Sequence, residues 1–124
     1  MLLRALLGVA ESLTVERVVE LTAALPGVLA CALVRENKVI AKGSATAAAQ
    51  AFQQQAASLA QNLRPLAALI GIQGAETFSL TTDERLITFS FQDAASLGIL
   101  HDGREPQAGL RDKITLISRE VTRL

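Results

Sequence analysis

The 124-residue chain reads as one α+β domain: a helix, two strands, a second helix, three strands and a last helix. Three features carry this reading. Apolar residues recur at helical spacing over 15–25 and again over 110–124. Five short runs, over 28–35, 39–42, 75–80, 86–91 and 96–100, have the period-two or wholly apolar pattern of strands. Between the second and third runs lies 46–62, built almost entirely of Ala and Gln and strongly helix-favouring.

Each element has its own local signals. Thr14 suits a helix N-cap, with Glu16 in the first turn where a negative charge complements the helix dipole. A full capping box would need Glu or Gln where Arg17 stands. Val15, Val18, Val19, Thr22 and Leu25 form the apolar stripe, and Pro26-Gly27 stops the helix. Val28 to Arg35 is apolar on both alternating faces, the mark of a strand covered on both sides. Glu36-Asn37-Lys38 is expected to turn the chain, with Asn37 in the left-handed region, and Val39 to Lys42 returns before Gly43-Ser44 breaks the strand.

The middle helix is expected over Thr46 to Asn62. Phe52, Ala56, Leu59 and Leu63 share the face that would cover the sheet. Ala47, Ala51 and Ser58 flank that face on one side, Ala57 and Ala60 on the other. Small residues on a helix flank fit either close approach of a second backbone or a merely solvated surface. Pro65 is expected to kink or end this helix, with a further turn over Leu66 to Ile70 and breaks at Gly71 and Gly74. Ala75 to Leu80 alternates as a strand, Thr81 to Glu84 turns, and Ile87, Phe89 and Phe91 share one face of the next strand. Gln92 to Ala95 turns again and Ser96 to Leu100 is the last strand. His101 to Glu105 reads as a polar loop. Pro106 suits the first turn of a helix whose stripe is Leu110, Ile114, Ile117, Val121 and Leu124, with Arg119 and Arg123 near its end.

Composition excludes several classes of function. Twelve basic residues balance twelve acidic ones, with no basic run, which argues against nucleic-acid binding. Four Phe and no Trp or Tyr give no platform for stacking bases. A single cysteine, Cys31, provides neither a disulfide framework nor a zinc site; in its apolar run it reads as a small buried hydrophobe, compatible with a reducing cytoplasm. The apolar N-terminus is interrupted by Arg4 and is far short of the roughly 20 residues of a membrane span. Residues 1–13 therefore read as an N-terminal helical extension or linker, and 14–124 as the domain.

The segment Leu25-Pro26-Gly27-Val28 followed by Ala30-Cys31-Ala32-Leu33-Val34 is similar to the first helix, Pro-Gly-Val turn and central strand of the roadblock (dynein light chain-like) family. The small-residue-rich helix from Thr46 to Asn62 resembles that family's second helix. Leu97-Gly98-Ile99-Leu100, a polar loop and Ala108-Gly109-Leu110-Arg111 resemble its last strand and final helix. The resemblance spans roughly Thr14 to Leu124. The first hairpin departs from it, with Glu36-Asn37-Lys38 where the family often has Asp-Gly. The resemblance implies a five-stranded antiparallel sheet with the middle helix on one face and the terminal helices on the other, a profilin-like layout. It also implies a homodimer formed through the middle helix and the third strand. On that mapping the interface residues are Ala47, Ala51, Gln54, Gln55, Ser58, Thr77 and Ser79, and an edge strand carrying Thr77 and Ser79, with no Lys or Pro to block it, invites strand addition.

No enzyme is legible. His101 precedes Asp102, but consecutive residues of an extended segment point apart, so a general acid–base pair is not expected; Ser96 has no partner that would make it a nucleophile. Asp83, Glu84 and Asp93 lack calcium-loop spacing. Gly71-Ile72-Gln73-Gly74 lacks the Lys-Ser/Thr of a phosphate loop. Neither a catalytic residue, a metal nor a cofactor is expected. Roadblock-like proteins commonly bind small Ras-like GTPases, so a cytoplasmic regulator or scaffold of such a GTPase is the implied function. Arg64 and Arg85 are the exposed arginines an activator could use. Two other readings stay open: a PAS-like small-molecule sensor, whose helices would lie mostly between the second and third strands, and a plain dimerisation domain of a longer protein.

Overall fold

The computed structural model describes residues 2–9, 13–36, 38–69, 77–82, 85–92, 95–102, 108–122 and 124. Its elements run α1 (Leu2–Leu7), α2 (Val15–Ala23), β1 (Val28–Arg35), β2 (Lys38–Gly43), α3 (Ala47–Leu69), β3 (Thr77–Thr82), β4 (Arg85–Phe91), β5 (Ala95–Asp102) and α4 (Ala108–Val121). The strands form one antiparallel five-stranded sheet in the order β2-β1-β5-β4-β3. β1 and β5 are the paired central strands, so both of their faces are covered. That explains their near-continuous apolar sequence.

The pleat sends alternate side chains into two separate cores. Cys31, Leu33, Leu97 and Ile99 join Val18 and Val19 of α2 and Ile114, Ile117 and Val121 of α4 on one face. Ala30, Ala32, Val34, Phe89, Phe91 and Leu100 meet Ala49, Phe52, Ala56, Ala60 and Leu63 of α3 on the other. The middle helix thus occupies one face and the terminal helices the other. α1 rests against α4 and α2, with Leu7 at the margin of the first core. One helix, α3, separates β2 from β3; α1 and α2 precede β1 and α4 follows β5, unlike the PAS arrangement.

Local chemistry explains the boundaries. Thr14 Oγ1 accepts from Arg17 N at 3.2 Å and caps α2. Gly27 holds a φ of 82°, which releases the chain into β1. Thr46 Oγ1 accepts from Ala49 N at 3.2 Å and starts α3.

Five expectations need correction. The first hairpin is tighter than expected, because Lys38 already pairs with Arg35, and Gly43 belongs to β2. Glu36 takes the positive φ, 54°; Asn37 lies outside the described residues. α3 does not stop near Pro65 but runs to Leu69. Pro65 leaves the Gln61 carbonyl without its helical donor, yet both residues are exposed, so water can fill the place. β3 runs to Thr82, where a turn was expected; Ala75 and Glu76 lie outside the described residues. His101 and Asp102 belong to β5 and not to a loop, since β4 pairs with them through Leu86 and Arg85. Ile70, Gly71, Gly74, Asp83, Glu84, Asp93, Gly103 to Glu105, Pro106 and Arg123 also lie outside the described residues.

Candidate interaction surface

α3 is charge-free from Ala47 to Leu63, and Arg64 is its one charged residue. Its inward stripe is buried; Ala47, Gln50, Ala51, Gln54, Gln55, Ser58, Gln61 and Asn62 are exposed. The five helix residues expected at an interface, Ala47, Ala51, Gln54, Gln55 and Ser58, therefore share one solvent-facing, uncharged strip.

The helix packs over β1, β2 and β5. On the side towards β4 it leaves a groove of about 250 Å³ lined by Ala48, Ala51, Phe52, Gln55, Leu59, Arg85, Ile87 and Leu100. Leu80 pairs with Ile87 and is 37% exposed beside this groove. Leu66 and Leu69 are exposed at the far end of α3. Small and apolar groups thus extend from the helix to the β3 edge.

Thr77 and Ser79 do not join this strip. Thr77 Oγ1 lies 2.6 Å from Thr115 Oγ1 of α4, and Ser79 Oγ lies 3.0 Å from Thr88 Oγ1. Both side chains point to the terminal-helix face, while their backbone stays on the free edge. The alternation places Leu80 on the α3 face, so Leu80 and Ile87 are the side chains that sequence reasoning missed there, and Arg85, singled out by its exposure, stands at the rim. The signal was present in the sheet parity: Ile87 shares its face with Phe89 and Phe91, and the strand pairing carries that face to Leu80.

The two sheet edges differ. β2 carries Lys38 and Lys42, both exposed, which discourage strand addition. β3 has no charged residue and no proline between Thr77 and Thr82.

The arginines also separate. Arg64 Nη2 donates to Gln92 O at 2.8 Å, Ser96 Oγ at 2.9 Å and Ala95 O at 3.2 Å, and its guanidinium stands 5.1 Å from the Phe91 ring centroid. It fastens α3 to the β4–β5 turn. Arg85 is exposed and has no polar partner among the described residues.

His101 is 3% exposed and its Nε2 lies 2.8 Å from Thr88 Oγ1. It belongs to a polar chain that runs through Thr88 to Ser79. Cys31 is fully buried, which pushes its thiol far up. No group of three or more His, Cys, Asp or Glu that could hold a metal comes together among the described residues. No helix of the described residues is long and apolar enough to cross a membrane.

This two-sided sheet, with one long helix opposite two terminal ones, is the roadblock fold. Myxococcus xanthus MglB superposes with a TM-score of 0.69 at 18% identity, over 92% of this chain and 96% of that one. The Roadblock/LC7 domain from Streptomyces avermitilis gives 0.62 at 17% identity, over 82% and 89%. MglC from Myxococcus xanthus gives 0.58 at 15% identity, over 86% and 95%. No protein-family model matches the chain. No curated protein matches it significantly.

Proposed function

We propose that the chain is a non-enzymatic protein-interaction module, with 14–124 as its working unit. It forms a homodimer through the outer strip of α3 and the β3 edge, and it serves in the cytoplasm as a regulator or scaffold of a small Ras-like GTPase. The observation that carries the self-association is the uncharged exposed strip of α3. Two copies meeting there bring no like charges together, and Ala47, Ala51 and Ser58 let the backbones approach. The unblocked β3 edge beside it offers backbone pairing to the same second copy. A further solved structure with this fold shows MglB in a tetrameric arrangement (TM-score 0.55, 18% identity, 83% of this chain and 78% of that one). The GTPase reading rests on the roadblock resemblance.

Light scattering on the purified chain tests the dimer. We expect a dimer from the parent chain and a folded monomer from Ala51→Glu and from Leu80→Lys. A monomeric parent chain, or variants that remain dimers, would sink the interface. Pull-downs with excess GDP and with a non-hydrolysable GTP analogue test the partner. Retention of a small GTPase in one nucleotide state alone supports the regulator reading, and no GTPase in either state removes it.

A further inference from the structure

The other flank of α3 carries a separate cavity. At about 100° per residue, Arg64 lies roughly 140–180° around the helix from Ala48, Gln55 and Leu59, and Ala60 stands on the same side as Arg64. There a cavity of about 480 Å³ opens between α3, the end of β1 and the start of β5. That volume falls within the roughly 300–1,000 Å³ of small-molecule sites. Val34, Ala60 and Pro65 supply its apolar wall; Glu36, Gln61, Arg64 and Ser96 supply its polar groups, and Ala95 contributes its backbone.

Arg64 is held in advance. Its Nη2 is occupied by Gln92 O, Ala95 O and Ser96 Oγ, and its ring contact with Phe91 fixes the plane. Nη1 and Nε carry no hydrogen bond among the described residues, so one edge of the guanidinium remains to meet a carboxylate. Glu36 lines the same cavity, has no hydrogen-bond or ion partner among the described residues, and makes no ion pair with Arg64. It also sits at φ 54°, a costly position for glutamate where Gly or Asn would be at ease. Opposite charges thus line one cavity without neutralising each other.

The geometry points to a binding site for a small zwitterion of the α-amino-acid type, its carboxylate on Arg64, its ammonium on Glu36 and an apolar side chain against Val34, Ala60 and Pro65. A dianion would meet repulsion from Glu36, and a simple amine would leave the Arg64 edge unfilled. The charged groups of the site, Arg64 and Glu36, lie beyond Ser58, the last residue of the proposed self-association strip, while Gln61 and Pro65 continue the face of that strip.

The test is a titration of the full chain, observed by backbone amide NMR, with leucine, with its deaminated carboxylate and with its decarboxylated amine. We expect saturable shifts at Ala60, Gln61, Arg64, Ala95 and Ser96 with leucine, and binding at least about tenfold weaker for either single-charge analogue. Glu36→Asn keeps a residue that tolerates positive φ, so the fold survives, and it should abolish the preference for leucine over the carboxylate. Absence of saturable shifts with leucine would overturn the site. A carboxylate that binds as tightly as leucine, or an unchanged preference in Glu36→Asn, would overturn the zwitterion assignment.

Discussion

Gly98 is the position where one added carbon tests the packing most directly. It pairs with Phe89 across β4 and β5, on the face covered by α3. A Cβ built there would stand 2.4 Å from Phe89 Cε1, 2.6 Å from Cζ and 2.8 Å from Cδ1. The shortest of these falls 1.0 Å short of the 3.4 Å at which ordinary contact begins. The ring cannot swing aside. Phe89 is 0% exposed and packed between Phe52, centroid 6.1 Å away, and Phe91, stacked at 5.8 Å and 7°. Overpacking of this kind costs about 1–3 kcal/mol. The stiffer unfolded chain of an alanine returns roughly 0.4–1 kcal/mol. Gly98→Ala should therefore lose about 1–2 kcal/mol in urea unfolding, and its thermal midpoint should fall by roughly 4–8 °C at fixed protein concentration. Phe89→Leu removes the ring that the new methyl strikes. The double variant should then be more stable than the sum of the two losses allows, by at least about 0.5 kcal/mol. A Gly98→Ala chain as stable as the parent, or strictly additive losses, would refute the claim that the ring lies on the glycine.

Three further substitutions probe other parts of the molecule. Glu36→Asn should raise stability by about 0.5–1 kcal/mol in urea unfolding, because glutamate holds a left-handed φ there; a loss would show that its side chain repays the strain even without ligand. Arg64→Met should cost about 1–3 kcal/mol and speed hydrogen exchange around Gln92 and Ala95, since three acceptors and a ring contact are given up; unchanged exchange would mean that the fastening is not needed. Thr88→Val removes the hydroxyl that links Ser79 and His101 inside the terminal-helix face, and should cost about 1–3 kcal/mol in the same assay, whereas a neutral result would show that the two partners rearrange freely.

The polar seam of Ser79, Thr88 and His101, together with Thr77 and Thr115, bears on how β3 stays attached. In the sheet order β3 has β4 as its one neighbour, and it is further tied to α4 through Thr77. Its outer backbone edge can therefore pair with another chain without loosening from its own.

Local sequence was enough to determine most elements of this protein. Pro26-Gly27 ends α2, the Thr14 cap begins it, and the apolar runs of β1 and β5 announce strands covered on both faces, because capping, proline chemistry and side-chain alternation act within a few residues. The charge-free face of α3 was equally legible, since helical periodicity alone assigns its exposed strip. What needed the tertiary structure was everything set by the partner of a residue. Pro65 stays inside α3 because the helix around it is exposed on that side and held by packing at Leu63 and by the Arg64 fastening. His101 became part of β5 because β4 was there to pair with it, and Thr77 and Ser79 turned to the terminal helices because the register of β3 on β4 decides which side chain faces which layer. The cavity joining Glu36 to Arg64 brings together residues 28 positions apart, a juxtaposition that comes from chain crossing and that no local pattern encodes.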